Sequence, residues 1–164
     1  ESGTVAVSAA SLSAARMTDD DNGILKRQFY YKQQPFKHAF LELQGVARTA
    51  RTYQLVIYLG ALPNNIETLP TIASNEGNLY LFGHGQCTGG QKHCQVKTKK
   101  RFFDHRADSH VQPYDTFVDI THLLEVYQGS TDPLELYMVV FDEKGKRTDS
   151  EEIVFKRMTL VTHL

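Results

Sequence analysis

The chain has 164 residues, 23% charged and 41% hydrophobic, with 18 Lys and Arg against 19 Asp and Glu. That length fits one domain able to bury about two-thirds of the surface its unfolded form exposes. The balanced charge gives no footprint for nucleic acid or an anionic membrane. The longest apolar runs, Leu55–Leu59 and Tyr137–Phe141, fall far short of the roughly 20 residues that a membrane-crossing helix requires.

The first residues, Glu1 to Thr4, show neither Met nor the charged and apolar regions of a signal peptide, which points to a soluble mature fragment or a domain excised from a longer precursor. Period-two alternation then dominates, in short segments separated by turn residues, as in sandwiches and barrels. Strands are expected at about Thr4–Ser8, Lys26–Lys32, His38–Gln44, Thr52–Gly60, Asn78–Gly83, Tyr114–Asp119, Leu134–Phe141 and Glu152–Thr159.

Phe40, Glu42 and Gln44 alternate against Leu41 and Leu43, whereas Tyr53, Leu55, Ile57 and Leu59 share one face of the next strand. Leu136, Met138 and Val140 lie opposite Tyr137, Val139 and Phe141, so this strand is apolar on both sides and belongs at the centre of a sheet. Asp142 to Lys146 reads as the turn of a last hairpin, with Gly145 at positive φ and Ile153 and Phe155 on one face of the returning strand. One helical turn is expected over Asp119–Tyr127, capped by Thr121 or Asp119, ended by Gly129, and closing one end of the sandwich with Leu123 and Leu124. Residues 9–23, 61–77 and 83–112 read as long irregular loops. The expected fold is therefore all-β: one antiparallel β-sandwich over residues 1–164, cupredoxin-like or jelly-roll, with about seven or eight strands and one short helix.

His84, Cys87, His93 and Cys94 form a Gly-rich cluster, with His105 and His110 downstream. Thiolate and imidazole suit copper(I) and zinc, and glycines let a loop wrap an ion. A disulfide between Cys87 and Cys94 is the competing and leading reading, because six intervening residues close easily and match no standard zinc spacing. The disulfide suits an oxidising compartment or secretion, and the count leaves the location open.

Other chemistry finds less support. A blue-copper site needs two His, a Cys and usually an axial Met, whereas Met158 and His163 near the end have no Cys beside them. Asp108, Ser109 and His110 are adjacent in sequence, which is not triad geometry. Lys97–Phe103 mixes cations with aromatics but runs straight into Asp104 and Asp108, as a solvated face does. Phe29, Tyr30, Tyr31 and Phe36 could fill a partner's pocket, although aromatics in strands more often pack in a core. No catalytic residue is assigned.

Three segments in order carry a family resemblance. Ala39-Phe-Leu-Glu-Leu-Gln-Gly-Val46 followed by Arg51-Thr-Tyr-Gln-Leu-Val-Ile-Tyr-Leu-Gly60 resembles the paired strands of the plant polyphenol oxidase C-terminal domain. Gly77-Asn-Leu-Tyr-Leu-Phe-Gly83 is similar to its glycine-then-apolar-strand element, shared with the hemocyanin domain. Phe117-Val-Asp-Ile-Thr-His-Leu-Leu124, followed by Asp132-Pro-Leu-Glu-Leu-Tyr-Met-Val-Val140, resembles the strand-into-helix element and the strand after it. The resemblance runs from about residue 39 to 155 and points to the C-terminal β-domain of type-3 copper proteins: tyrosinases, polyphenol oxidases and molluscan-type hemocyanins.

It departs at Gln54-Leu55-Val56, where the plant strand carries Phe-Asp-Val, and at the stretch from His84 to His110, which has no counterpart in the plant domain. The resemblance implies a domain that is no enzyme alone and holds no resident cofactor. It implies a partner, the helical dicopper catalytic domain of the same precursor, within a copper-dependent phenol oxidase or an oxygen carrier. The β-domain would shield the dicopper centre, or assist folding or copper loading through transient copper(I) at His84, Cys87, His93 and Cys94. The alternatives are an independent β-sandwich module that binds a ligand or protein, and a small Cys/His copper-binding protein.

Overall fold

The computed structural model describes residues 23–29, 35–70, 77–83, 112–127 and 133–164. In chain order these form β1 (Leu25–Phe29), β2 (His38–Val46), β3 (Tyr53–Leu59), β4 (Asn78–Leu81), β5 (Tyr114–Asp119), α1 (Thr121–Glu125), β6 (Leu134–Phe141), β7 (Arg147–Thr148), a 3-10 turn at Ser150–Glu152, and β8 (Arg157–His163). One sheet runs β1-β6-β3-β4, with β7 also on β6, and the other runs β5-β2-β8. Every strand pairing is antiparallel. The expected all-β, two-sheet sandwich is what forms.

Alternation places the core. Leu55, Ile57, Leu136, Met138 and Val140 point inward from the larger sheet to meet Ala39, Leu41, Leu43, Val118, Met158 and Leu160 from the smaller one. Each fully buried side chain of this kind contributes about 1.5–3 kcal/mol. The far side of the larger sheet is apolar too. Val56, Val139 and Phe141 are buried there with Ile24, under Leu62, Ile66 and Leu69. A covering segment holds those three residues in place: Leu69 N–H donates to Gly145 O at 3.0 Å and Arg147 N–H to Glu67 O at 3.1 Å. So β6, read as central because both its faces are apolar, is paired on both edges and buried on both sides.

Gly145 takes φ +74 in the turn after Phe141, as expected, but the hairpin it closes is β6–β7. The expected strand Glu152–Thr159 is corrected. Residues 150–152 form the 3-10 turn, and residues 153–156 form no strand. Ala47 N–H donates to Val154 O and Lys156 N–H to Gln44 O, both at 2.8 Å, so this stretch follows the irregular end of β2 before β8 starts at Arg157. Thr4–Ser8, residues 30–32 of the expected Lys26–Lys32 strand, Gly129, and residues 9–22, 71–76 and 84–111 of the three expected loops lie outside the described residues.

A bulge between Leu43 and Val46 bends β2. Gly45 there has φ +65, a conformation that costs a residue with Cβ, and its N–H donates to Asp115 Oδ1 at 2.8 Å.

The corner from β5 into α1 ties the layers together. Neither Asp119 nor Thr121 occupies the expected N-cap position, which Ile120 holds. Asp119 Oδ1 instead accepts from Thr121 N–H at 2.9 Å and from the Thr121 hydroxyl at 2.7 Å. That leaves Thr121 Oγ1 as acceptor for the buried Ala39 N–H at 3.0 Å, while Ile120 N–H donates to Ala39 O at 2.9 Å. On the other side, Gly77 N–H donates to Asp119 O at 2.9 Å, and Ile57 N–H to Gly77 O at 2.7 Å. Gly77 has φ +73, and a Cβ would lie 2.8 Å from Leu123 Cδ1, so only glycine fits. The helix packs Leu124 into the core with Leu123 beside it, and Tyr127 Oη–H donates to Leu59 O at 2.6 Å.

Thr121→Val removes the acceptor for Ala39 N–H while nearly keeping the volume. A buried donor left unsatisfied costs about 1–3 kcal/mol. Urea unfolding is expected to show the unfolding free energy lowered by that much, read as a lower midpoint with an unchanged slope.

Candidate functional site

The sequence-derived metal candidates His84, Cys87, His93 and Cys94 lie outside the described residues, as do His105, Asp108, Ser109, His110 and the Lys97–Phe103 run. Among the described residues no three or more His, Cys, Asp or Glu side chains gather in a way that could hold a metal ion. Nor is any described helix long and apolar enough to cross a membrane.

The remaining candidates are separated by the strand period. Met158 points into the core and His163, five positions on, lies on the opposite face of β8, so the two cannot share a copper ion. Phe29 is 2% exposed and Phe36 packs against the core, which makes them structural. Tyr30 and Tyr31 lie outside the described residues.

The outward face of β5-β2-β8 has the features of a recognition surface. Alternation that buries Leu41 and Leu43 turns His38, Phe40 and Glu42 outward, and register sets Glu42 opposite Phe117 and Phe40 opposite Val161. Phe40 is the hub: Phe117 meets its ring edge-on at 5.5 Å, His163 edge-on at 5.8 Å, and His38 stacks at 6.3 Å. Phe117 is 63% exposed, an unusual position for a large apolar ring within a strand. Glu42, Asp115, Phe40, Phe117, Val161 and His163 line an open groove of about 440 Å³. An apolar floor with carboxylates at its edge suits a partner that offers both an apolar surface and hydrogen-bond donors or cations. The reading from sequence set Phe40 opposite Leu41 but missed Phe117, Val161 and the histidines as its neighbours. An aromatic on the solvent side of an alternating strand was the signal available.

A second charged group spans β1 and β6. Lys26 Nζ is 3.2 Å from Glu135 Oε1, and Glu135 also accepts from the Tyr137 hydroxyl at 2.9 Å and Gln28 Nε2 at 3.3 Å. The Tyr137 hydrogen bond, followed by those from Gln28 and Lys26, holds the Glu135 carboxyl below the usual carboxylate range. Glu135 in turn raises Lys26. Both groups are open to solvent, where such pairs contribute little, and the cluster is a surface ion pair. Tyr58 and Tyr114 are pushed up by burial.

The contrast between the two faces is measurable. Phe117→Ser is expected to cost less than about 1.5 kcal/mol, the worth of an aromatic pair, whereas Phe29→Ala costs about 3–5 kcal/mol. Denaturant midpoints of the two variants check this.

No family model matches the sequence, and no curated protein matches it. Among solved structures the chain is similar to a latent aurone synthase (polyphenol oxidase) from natural source, at TM-score 0.49 and 12% identity. The match covers 98% of this chain and 28% of that one, so the chain spans less than a third of its neighbour's length.

Proposed function

We propose that this chain is the non-catalytic C-terminal domain of a tyrosinase- or polyphenol oxidase-like dicopper protein. It shields the copper site of the helical domain of the same precursor, or assists that domain's folding or copper loading. The observation that carries the reading is the order of the resembling segments from Ala39 to Val140. They contribute β2, β3, β4, β5 with α1, and β6 of one sandwich. Asp119, Ile120 and Thr121, the most distinctive part of the resemblance, form hydrogen bonds to Ala39 and Gly77 from the other segments. Motif residues bonded to one another in this way mark a fold element that a family would share, with no reaction attached.

A dicopper centre does not fit the described histidines. His38, His122 and His163 stand on β2, α1 and β8, and the His122 Nδ1 is 3.0 Å from Glu125. Such a centre belongs to the partner in this reading. The groove on β5-β2-β8 supports the second reading, a binding module that acts independently, because it offers an aromatic and acidic surface without needing a copper partner.

Two experiments test these readings. Purified chain is added to the helical domain of its own precursor, prepared without it. Co-elution is expected, with phenol oxidation falling about tenfold at ten times the Kd of the complex. Neither complex formation nor improved recovery of active helical domain on co-expression would leave the binding module as the better account. Copper(I) is also titrated into reduced chain beside Cys87→Ser/Cys94→Ser, with thiols counted as purified. One-to-one binding abolished by the substitutions is the copper-loading outcome, and absence of both binding and free thiols is the disulfide outcome.

A further inference from the structure

β2 and β8 run antiparallel with His38 directly opposite His163 in the register. The inward positions of both strands are filled by Ala39, Leu41, Met158 and Leu160, so both histidines belong to the outward row. Directly opposed residues on one face of such a pair hold their Cβ atoms about 4.5–5.5 Å apart. Two imidazoles at that spacing can reach a single ion, each at about 2.0–2.1 Å for zinc.

Phe40 touches both rings: it stacks on His38 at 6.3 Å and meets His163 edge-on at 5.8 Å. Among the described residues neither imidazole has a hydrogen-bond or ion-pair partner, whereas His122 is engaged by Glu125 at 3.0 Å. The ring nitrogens of the pair are therefore available as ligands. A strand-pair chelate is preorganised by the sheet, and so avoids much of the ordering cost that two free side chains would meet.

We infer that His38 and His163 form a chelate across the two strands for a divalent first-row transition ion that favours imidazole: Cu2+, Ni2+ or Zn2+. Water completes the coordination. Hard cations such as Mg2+, which prefer oxygen, are not ligands for this pair. The ion would fasten β8, the last strand of the chain, to β2, the middle strand of its sheet. The pair uses none of His84, Cys87, His93 and Cys94, and the inference does not rest on the proposed function.

The test uses the full chain carrying Cys87→Ser and Cys94→Ser, which silences the thiolates, and Ni2+ alone as the probe. Calorimetry is expected to show one equivalent bound, with Tm rising as Ni2+ is added because the opposed pair exists only in the folded chain. His38→Ala and His163→Ala should each weaken binding by at least about tenfold, since a lone imidazole loses the chelate. Tm without metal establishes that the variants are folded, and His38→Gln and His163→Gln replace them if alanine lowers it. In the double-alanine chain, Glu42→His with Thr159→His places a new directly opposed pair on the same face and is expected to restore binding. No Ni2+ binding, equal binding of Mg2+, or unchanged affinity in either single variant would overturn the inference.

Discussion

The hydroxyl of Thr121 is the interaction on which the rest of the sandwich depends. It gives its proton to Asp119 and so presents its oxygen to the Ala39 N–H. A strand end buried in a core cannot leave that donor bare, and water has no access to a 0% exposed alanine. The same short stretch receives the Gly77 N–H through the Asp119 carbonyl, and Gly77 in turn accepts from Ile57 in β3. A few consecutive residues thus join β2 of one sheet to β3 of the other, and place Leu124 between the layers. Apolar burial supplies most of the driving force for folding, but it is non-directional. The corner supplies the direction, fixing which end of one sheet meets which end of the other.

The two sheets treat their outer faces differently. Leu62, Ile66 and Leu69 close off the back of the larger sheet, and the chain uses its own 61–70 segment to do it. The smaller sheet keeps Phe117 in solvent beside Phe40. This arrangement leaves an aromatic surface open without weakening the core. The histidines at the edge of that surface give the face a chemical character that the covered face lacks.

Much of the architecture could be read from residue order. β2, β3 and β6 were legible because their inward residues are uniformly apolar, as in Leu41-Glu42-Leu43. β8 was displaced because Ile153 and Phe155 repeat at period two although their backbone forms no ladder, while Thr162 interrupts the true apolar row of Met158 and Leu160. Hydrogen bonds of residues 154 and 156 to the irregular end of β2 decide that stretch, and no local pattern encodes them. The helix was anticipated, but its capping was not, since Thr121 bonds to a strand far away in sequence. The outward aromatic face was only partly legible for the same reason. Phe40 announces itself within its own strand, whereas its neighbours Phe117 and His163 arrive from others through pairing.

The bulge at Gly45 carries a consequence for chain length. Between Leu43 and Val46, β2 advances three positions while β5 advances only two, from Thr116 to Tyr114. Val46 nevertheless lies in the interior, where it is 0% exposed. Removing Gln44 or Gly45 would bring the two strands back into equal step, two positions against two, and plain alternation would still carry Val46 inward. The extra residue therefore sets a bend and not a face. A chain shortened there would keep its core pattern and lose the kink that brings the Gly45 N–H to Asp115.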